Sequence, residues 1–282
     1  MKADFWVGTE REDAAMAVMP IGCQPPLRAR KLNFLATSSA EEMIRRCRRT
    51  AMLLPELAEA LALQRADQKG RLFDITDYPD DEKELITHAL GEGEVAGVAA
   101  LSNGITARMQ ETVMAGVWRI RFTDGDGRLV ADYVEVASIP AVVRQVCSAL
   151  PSTISHGPAP AGAMNVMPVL TEIRDRIGRY RDGEPAHVIA FSLFPMSPED
   201  MTFLQETLGA GPVQLTSRGY GTCRAVATGA RNVWSVQFYN AMDTIILDTL
   251  EICDIPSVAI AAEEDFRDSE ARMREIEEAY FR

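Results

Sequence analysis

Leu90-Gly91-Glu92-Gly93-Glu94-Val95 returns as Leu208-Gly209-Ala210-Gly211-Pro212-Val213, shifted by 209 − 91 = 118 residues. Val117-Trp118-Arg119-Ile120-Arg121-Phe122 returns as Val233-Trp234-Ser235-Val236-Gln237-Phe238, shifted by 234 − 118 = 116. Glu135 with Ile139-Pro140 matches Glu251 with Ile255-Pro256 in that second register, as do Thr106/Thr222, Arg108/Arg224 and Asp132/Asp248. One two-residue gap between Val95 and Thr106 reconciles the two shifts. A unit this long exceeds the roughly 20–50 residues of solenoid repeats and implies a duplicated domain.

Working outward, each copy shows a short strand, a punctuated helix, then strand chemistry. Leu72 to Ile75 and Val188 to Phe194 read as strands. Ser197 caps a helix with Pro198 in its first turn and Gly209 as its stop. Asp80 or Asp81 opens the matching helix and Gly91 ends it. Val113 to Phe122 and Val130 to Val136 flank Asp124-Gly125-Asp126-Gly127, a strong hairpin signal. Val233 to Phe238 and Thr244 to Ile252 repeat it, and Ile-Pro ends the strands in both places. The expected fold class is α+β: two tandem copies of a duplicated domain, each with helices packed on a mainly antiparallel sheet, with a mixed sheet as an open alternative.

The expected organisation is an extended N-terminal arm over 1–37, a first α+β repeat over 38–150, a linker rich in Pro, Gly, Ala and Ser over 151–163, and a second repeat over 164–282. Ser39 to Glu42 has capping-box spacing, and Arg45, Arg46, Arg48 and Arg49 read as a solvated helix face. Pro55 starts or kinks a second helical stretch. The closing helix carries Phe266, Met273, Ile276 and Tyr280 on one face, expected to pack on its own domain, with a partner groove as the alternative.

A formal charge of −12 argues against broad attraction to nucleic acid or anionic membrane. No apolar run approaches membrane-spanning length, and the N-terminus lacks a signal-peptide pattern. Cysteines at 23, 47, 147, 223 and 253 suit free thiols in a reducing cytoplasm. His88, His156 and His187 share no ligand spacing, and neither H-E-x-x-H, C-x-x-C nor G-x-S-x-G occurs. No catalytic residue, metal ligand or cofactor is therefore expected. Cys223 aligns with Ala107 and Cys253 with Ala137, which points to small buried strand positions; a thiolate pair carrying a metal or cluster is the competing reading.

The mismatches between the copies are more telling. Gly116, Arg121, Thr123 and Asp124 become Asn232, Gln237, Tyr239 and Asn240. With Arg218, Tyr220 and Arg224 these form the candidate partner-binding set, rich in residue types found at binding hot spots. Trp234 reads as core, because its counterpart Trp118 recurs in the plainer copy.

Ser217-Arg218-Gly219-Tyr220-Gly221-x-Cys223-Arg224, Asn232-Val233-Trp234 and Ile246-Leu247-Asp248-Thr249-Leu250-Glu251 resemble the HupH/HyaF family of hydrogenase expression and formation proteins. Asp254-Ile255-Pro256, Ala261-Ala262, Glu264-Asp265 and the stretch 90–95 carry the same resemblance. It implies a non-enzymatic, cytoplasmic accessory protein in the maturation of a nickel–iron uptake hydrogenase. The implied partners are the immature iron–sulfur small-subunit precursor or other maturation proteins. The alternative is an iron–sulfur cluster or metal carrier using Cys223 and Cys253.

Overall fold

The computed structural model describes residues 42, 45–193, 195–219 and 221–281; the expected arm and the Ser39 capping box lie outside them. In chain order the elements are α1 (Arg48–Leu63), β1 (Arg71–Asp74), α2 (Asp80–Leu90), β2 (Val95–Ala100), β3 (Thr106–Glu111), β4 (Val117–Thr123) and β5 (Leu129–Val136). Next come α3 (Ala141–Ser148), α4 (Val166–Arg179), β6 (His187–Ala190), α5 (Pro198–Leu208), β7 (Ala210–Ser217), β8 (Thr222–Thr228), β9 (Val233–Tyr239) and β10 (Ile245–Ile252). A 3-10 turn (Ser257–Ala259) precedes α6 (Glu263–Phe281). The order helix, strand, helix, four strands thus occurs twice.

The described residues form two compact units, one from 45–96, 104–141 and 260–281, the other from 97–103 and 142–259. Both are α+β. In the first unit β1, β5, β4 and β3 pair antiparallel in that order. In the second the order is β7, β8, β9, β10, β6, also antiparallel.

Local chemistry explains the helix ends. Ser197 Oγ accepts from Asp200 N while the Asp200 carboxylate accepts from Ser197 N, a reciprocal cap. Gly91 (φ 60°) and Gly209 (φ 66°) stop α2 and α5 in a conformation that costs L-residues with a Cβ. α1 runs unbroken through Pro55, which sits on its exposed side. Arg45, Arg46, Arg48 and Arg49 are exposed, and Arg49 lies 3.9 Å over the Tyr78 ring.

Two expectations need correcting. Residues 113–122 are not one strand. Thr112 N donates to Val117 O at 2.8 Å and Val117 N to Met114 O at 3.1 Å, so β3 and β4 form a tight hairpin turning at Gly116 (φ 80°). The closing helix, expected in the core of the second repeat, contributes its buried stripe to the core of the first unit. Phe266 and Met273 join Leu53, Leu54, Leu57, Ile86, Leu90, Val134 and Val136 in the first unit's core. Ser269 Oγ donates to the Ala115 carbonyl at 2.9 Å, and Glu263 accepts from Ala66 N at 2.9 Å. Ile276 packs at the edge of that core, while the side chain of Tyr280 lies outside the described part. The second unit's core is built from Val166, Val169, Leu170 and Ile173 of α4, Leu204 and Leu208 of α5, and Ile189, Val233, Leu250 and Ile252 of the sheet.

Candidate binding surface on β8 to β10

Side chains alternate along β9, so Val233, Ser235, Gln237 and Tyr239 share one face. Val233 belongs to the core under α4 and α5, which makes this the helix-facing side. Pairing sets Arg224 of β8, Gln237 of β9 and Asp248 of β10 in one cross-strand row there. Gln237, only 3% exposed, donates from Nε2 to Asp248 Oδ2 at 3.3 Å and accepts on Oε1 from Tyr239 Oη at 2.8 Å. Arg224 donates from Nη2 to Gln214 Oε1 at 3.2 Å, and its buried Nε has no hydrogen-bond partner among the described residues. Arg218 is exposed just beyond β7, at the end of the sheet where β9 meets β10.

Arg224, Gln237 and Tyr239 are therefore brought together, with Gln214 and Asp248 as partners the sequence reading did not include. Tyr220 lies outside the described residues. Asn232 and Asn240 sit apart from the row and hold turns. Asn232 adopts φ 63°, as Gly116 adopts φ 80°, and its carbonyl accepts from Cys253 N at 2.9 Å as the Gly116 carbonyl accepts from Ala137 N at 2.9 Å. Asn240 Oδ1 accepts from Met242 N and Thr244 N at 2.9 and 3.0 Å. Asp124 Oδ1 does the same for Asp126 N and Arg128 N at 3.0 and 2.9 Å. Asparagine and aspartate are interchangeable as acceptors in such turns.

The same hairpin exposes a patch that the sequence reading missed. Register shifts between Ile245 and Leu247 against β9, as it does between Phe122 and Thr123 of β4 against β5, so each β-bulge falls at the rim. Met242 is 81% exposed, Ile246 66% and Leu247 38%. The matching positions 116 residues earlier are Asp126, Val130 and Ala131. The signal was available: three apolar residues in a row, Ile245-Ile246-Leu247, cannot all face inward from an alternating strand.

Buried titratable groups account for themselves structurally. Burial pushes Cys223 up to about 12, with the Glu251 charge adding, and raises Cys253 further for the same two reasons. Both thiols are under a tenth exposed, so forming a thiolate there works against desolvation. No group of three potential metal ligands occurs among the described residues. Burial raises Glu111 to about 7 although Gly116 N donates to it at 3.0 Å. Glu135 is likewise raised to about 7 by burial, against a bond from Ala141 N at 3.0 Å. His187 pairs with Glu172 at 2.7 Å. Trp118 and Trp234 are core, each donating to a backbone carbonyl, of Ala137 and Asp254. No helix among the described residues is long and apolar enough to cross a membrane.

Aromatic, guanidinium and exposed apolar groups thus gather at one sheet rim. The model of the HupH hydrogenase expression protein C-terminal conserved region matches residues 49–151 and again 163–280, and the chain belongs to that family. It is 84% identical to "Hydrogenase expression/formation protein HupH" of Rhizobium leguminosarum bv. viciae over 282 residues, covering 100% of both chains. It is 30% identical to "Hydrogenase-1 operon protein HyaF" of Escherichia coli (strain K12) over 275 residues, 95% of this chain and 93% of that one. A solved structure, "Hydrogenase expression protein HupH from Thiobacillus denitrificans ATCC 25259", aligns with a TM-score of 0.37 at 24% identity, covering 40% of this chain and 95% of that chain.

Proposed function

We propose that this chain is a non-enzymatic, cytoplasmic accessory protein in the formation of a nickel–iron uptake hydrogenase. In this reading it holds the immature iron–sulfur small subunit, or another maturation factor, through the rim of β8 to β10. The two halves are read as tandem copies of one domain, of which the second has diverged into the binding copy.

The observation that carries this is the β9–β10 hairpin. Its turn keeps the hydrogen bonds of the β4–β5 turn, yet Asp126, Arg128 and Ala131 are replaced by Met242, Thr244 and Leu247. The first hairpin also exposes Leu129 and Val130, so what the second adds is Met242 and Leu247 where the first has Asp126 and Ala131. Since the first folds in the same geometry, the fold does not require that addition. Exposed methionine and leucine beside Arg218 and Tyr239 favour contact with another protein, because tyrosine and arginine anchor such interfaces and methionine adapts to them. The carrier reading is weaker, since both of its thiols are buried and held protonated.

The test is complementation in a host with hydrogenase genes and without this one. The wild-type chain is expected to restore hydrogenase activity. The triple variant Met242→Asp, Thr244→Arg, Leu247→Ala, which installs the other half's residues, should fold and fail. Full restoration by the triple variant would remove this rim from the function.

A further inference from the structure

The first unit carries a cluster of arginines that the rim does not explain. On the helix-facing side of its sheet, β3 sets Arg108 directly opposite Arg121, and β5 sets Asp132 on the other side of Arg121. Arg119, two positions along β4 on the same face, closes on Asp132 with both ends of its fork, Nε to Oδ1 at 2.5 Å and Nη2 to Oδ2 at 2.7 Å. That pair is almost wholly buried, with side chains 7% and 1% exposed. Asp132 is thereby occupied. Arg121 Nε stands 3.8 Å from its Oδ2, beyond hydrogen-bond reach, and is buried with no hydrogen-bond partner among the described residues.

The arrangement is costly in two ways. Like charges directly opposite on neighbouring strands destabilise a sheet, and a buried guanidinium N–H without an acceptor adds a desolvation cost. Burial first, and the Arg119 charge second, hold Arg121 below the usual arginine range. In the other half the matching positions are Arg224, Ser235 and Gln237, so this excess of positive charge is particular to the first unit. Beside it, a cleft of about 20 Å³ is lined by Gly91, Glu92, Gln110, Thr112, Arg119 and Arg121. That is room for roughly one oxygen atom. Three arginine charges, those of Arg108, Arg119 and Arg121, face the two carboxylates of Asp132 and Glu92, so one positive charge is left over.

We propose that Arg108 and Arg121 clamp a carboxylate, one oxygen entering the cleft to meet Arg121 Nε and the other facing Arg108. A flat two-oxygen anion suits two guanidinium forks, and one negative charge offsets the repulsion between them. A phosphate brings more bulk and charge than one oxygen-sized cleft beside Glu92 accommodates. The carboxylate can come from a small free acid or from an Asp or Glu side chain of a polypeptide. The site is independent of the hydrogenase assignment and of the β9–β10 rim.

The experiment follows the melting temperature of the full chain in sodium chloride, sodium acetate, sodium phosphate and a blocked Ala-Glu-Ala peptide, at matched ionic strength. Acetate or the peptide is expected to raise it by about 2–4 °C over chloride. Arg121→Gln, the residue carried at 237, should lose most of that gain. Arg108→Gln, at an exposed position, supplies the same comparison should the first variant fold poorly. A larger gain with peptide than with acetate assigns the carboxylate to a polypeptide, and equal gains assign it to a free acid. No gain over chloride, a gain that persists in both variants, or a larger arginine-dependent gain with phosphate would each overturn the proposal.

Discussion

Asp200 gives the sharpest test of how the second unit is held together. It lies on α5 with no exposed surface, yet its carboxylate serves another helix. Oδ1 accepts from the backbone N–H groups of Met164, Asn165 and Val166 at 2.8, 3.1 and 3.0 Å, and Oδ2 from Ser197 N at 2.9 Å. α4 has no side-chain cap of its own and no acidic residue in its first turn. Losing an N-cap costs about 1–2 kcal/mol, and each buried N–H left without an acceptor about 1–3 kcal/mol. With water reaching some of them, Asp200→Ala should lose about 3–5 kcal/mol. Asp200→Asn keeps one acceptor oxygen and should lose about 1–2 kcal/mol. Burial alone would raise the Asp200 pKa, but the backbone donors outweigh it and hold it below the usual aspartate range. Its contribution is therefore complete above the unfolded value near ~4 and fades as pH falls through the folded value. Urea unfolding followed by tryptophan fluorescence at pH 7 and at pH 4 and below measures both effects. A loss under about 0.5 kcal/mol for Asp200→Ala, or a gap between wild type and Asp200→Asn that does not narrow in acid, would refute the reasoning.

Other expectations follow from the same geometry. A Cβ on Gly116 would lie 2.5 Å from the Phe266 ring at φ 80°, so Gly116→Ala should cost about 2–4 kcal/mol, whereas Asn232→Gly should cost only a few tenths of about 1 kcal/mol. Equal effects in urea melts would contradict the seat of α6 in the first unit. Glu111 and Glu135 have folded values raised to about 7, so their favourable contribution is complete below the unfolded value and lost as pH rises through about 7. Glu111→Gln and Glu135→Gln should each raise stability at pH 8 more than at pH 5; a uniform effect at both would sink that account. Cys223 and Cys253 should resist iodoacetamide at pH 8 in the folded protein and react in urea. Rapid native labelling would reopen the carrier reading.

The element boundaries that sequence made legible were those with strong local chemistry. Gly91 and Gly209 stop helices, Ser197 caps one, and Asp124-Gly125-Asp126-Gly127 turns a hairpin. β2, β3, β7 and β8 were not legible; in β2 and β8, Val-Ala-Gly-Val-Ala-Ala and Thr-Cys-Arg-Ala-Val-Ala-Thr alternate in burial but not in residue type. The stripe of Phe266, Met273 and Ile276 showed that α6 has a buried face, but a stripe does not name the core that receives it. At the candidate site, comparing the halves found Gln237 and Tyr239, whose polar groups meet in space. It also drew in Asn232 and Asn240, where Gly-to-Asn and Asp-to-Asn exchanges preserve a turn. A change of residue type separates a new task from an old one only when backbone geometry is known as well.

The proposed role of the β8–β10 rim is to hold a hydrogenase component. The most direct measurement is affinity purification of the tagged full chain from cells expressing the hydrogenase genes, with co-purifying proteins identified by mass spectrometry. The wild-type chain should retain the small-subunit precursor or another maturation protein. The Met242→Asp, Thr244→Arg, Leu247→Ala variant should retain at least about tenfold less, the equivalent of roughly 1.4 kcal/mol of lost contact. Recovery of no hydrogenase component by the wild type, or equal recovery by the variant, would contradict the account.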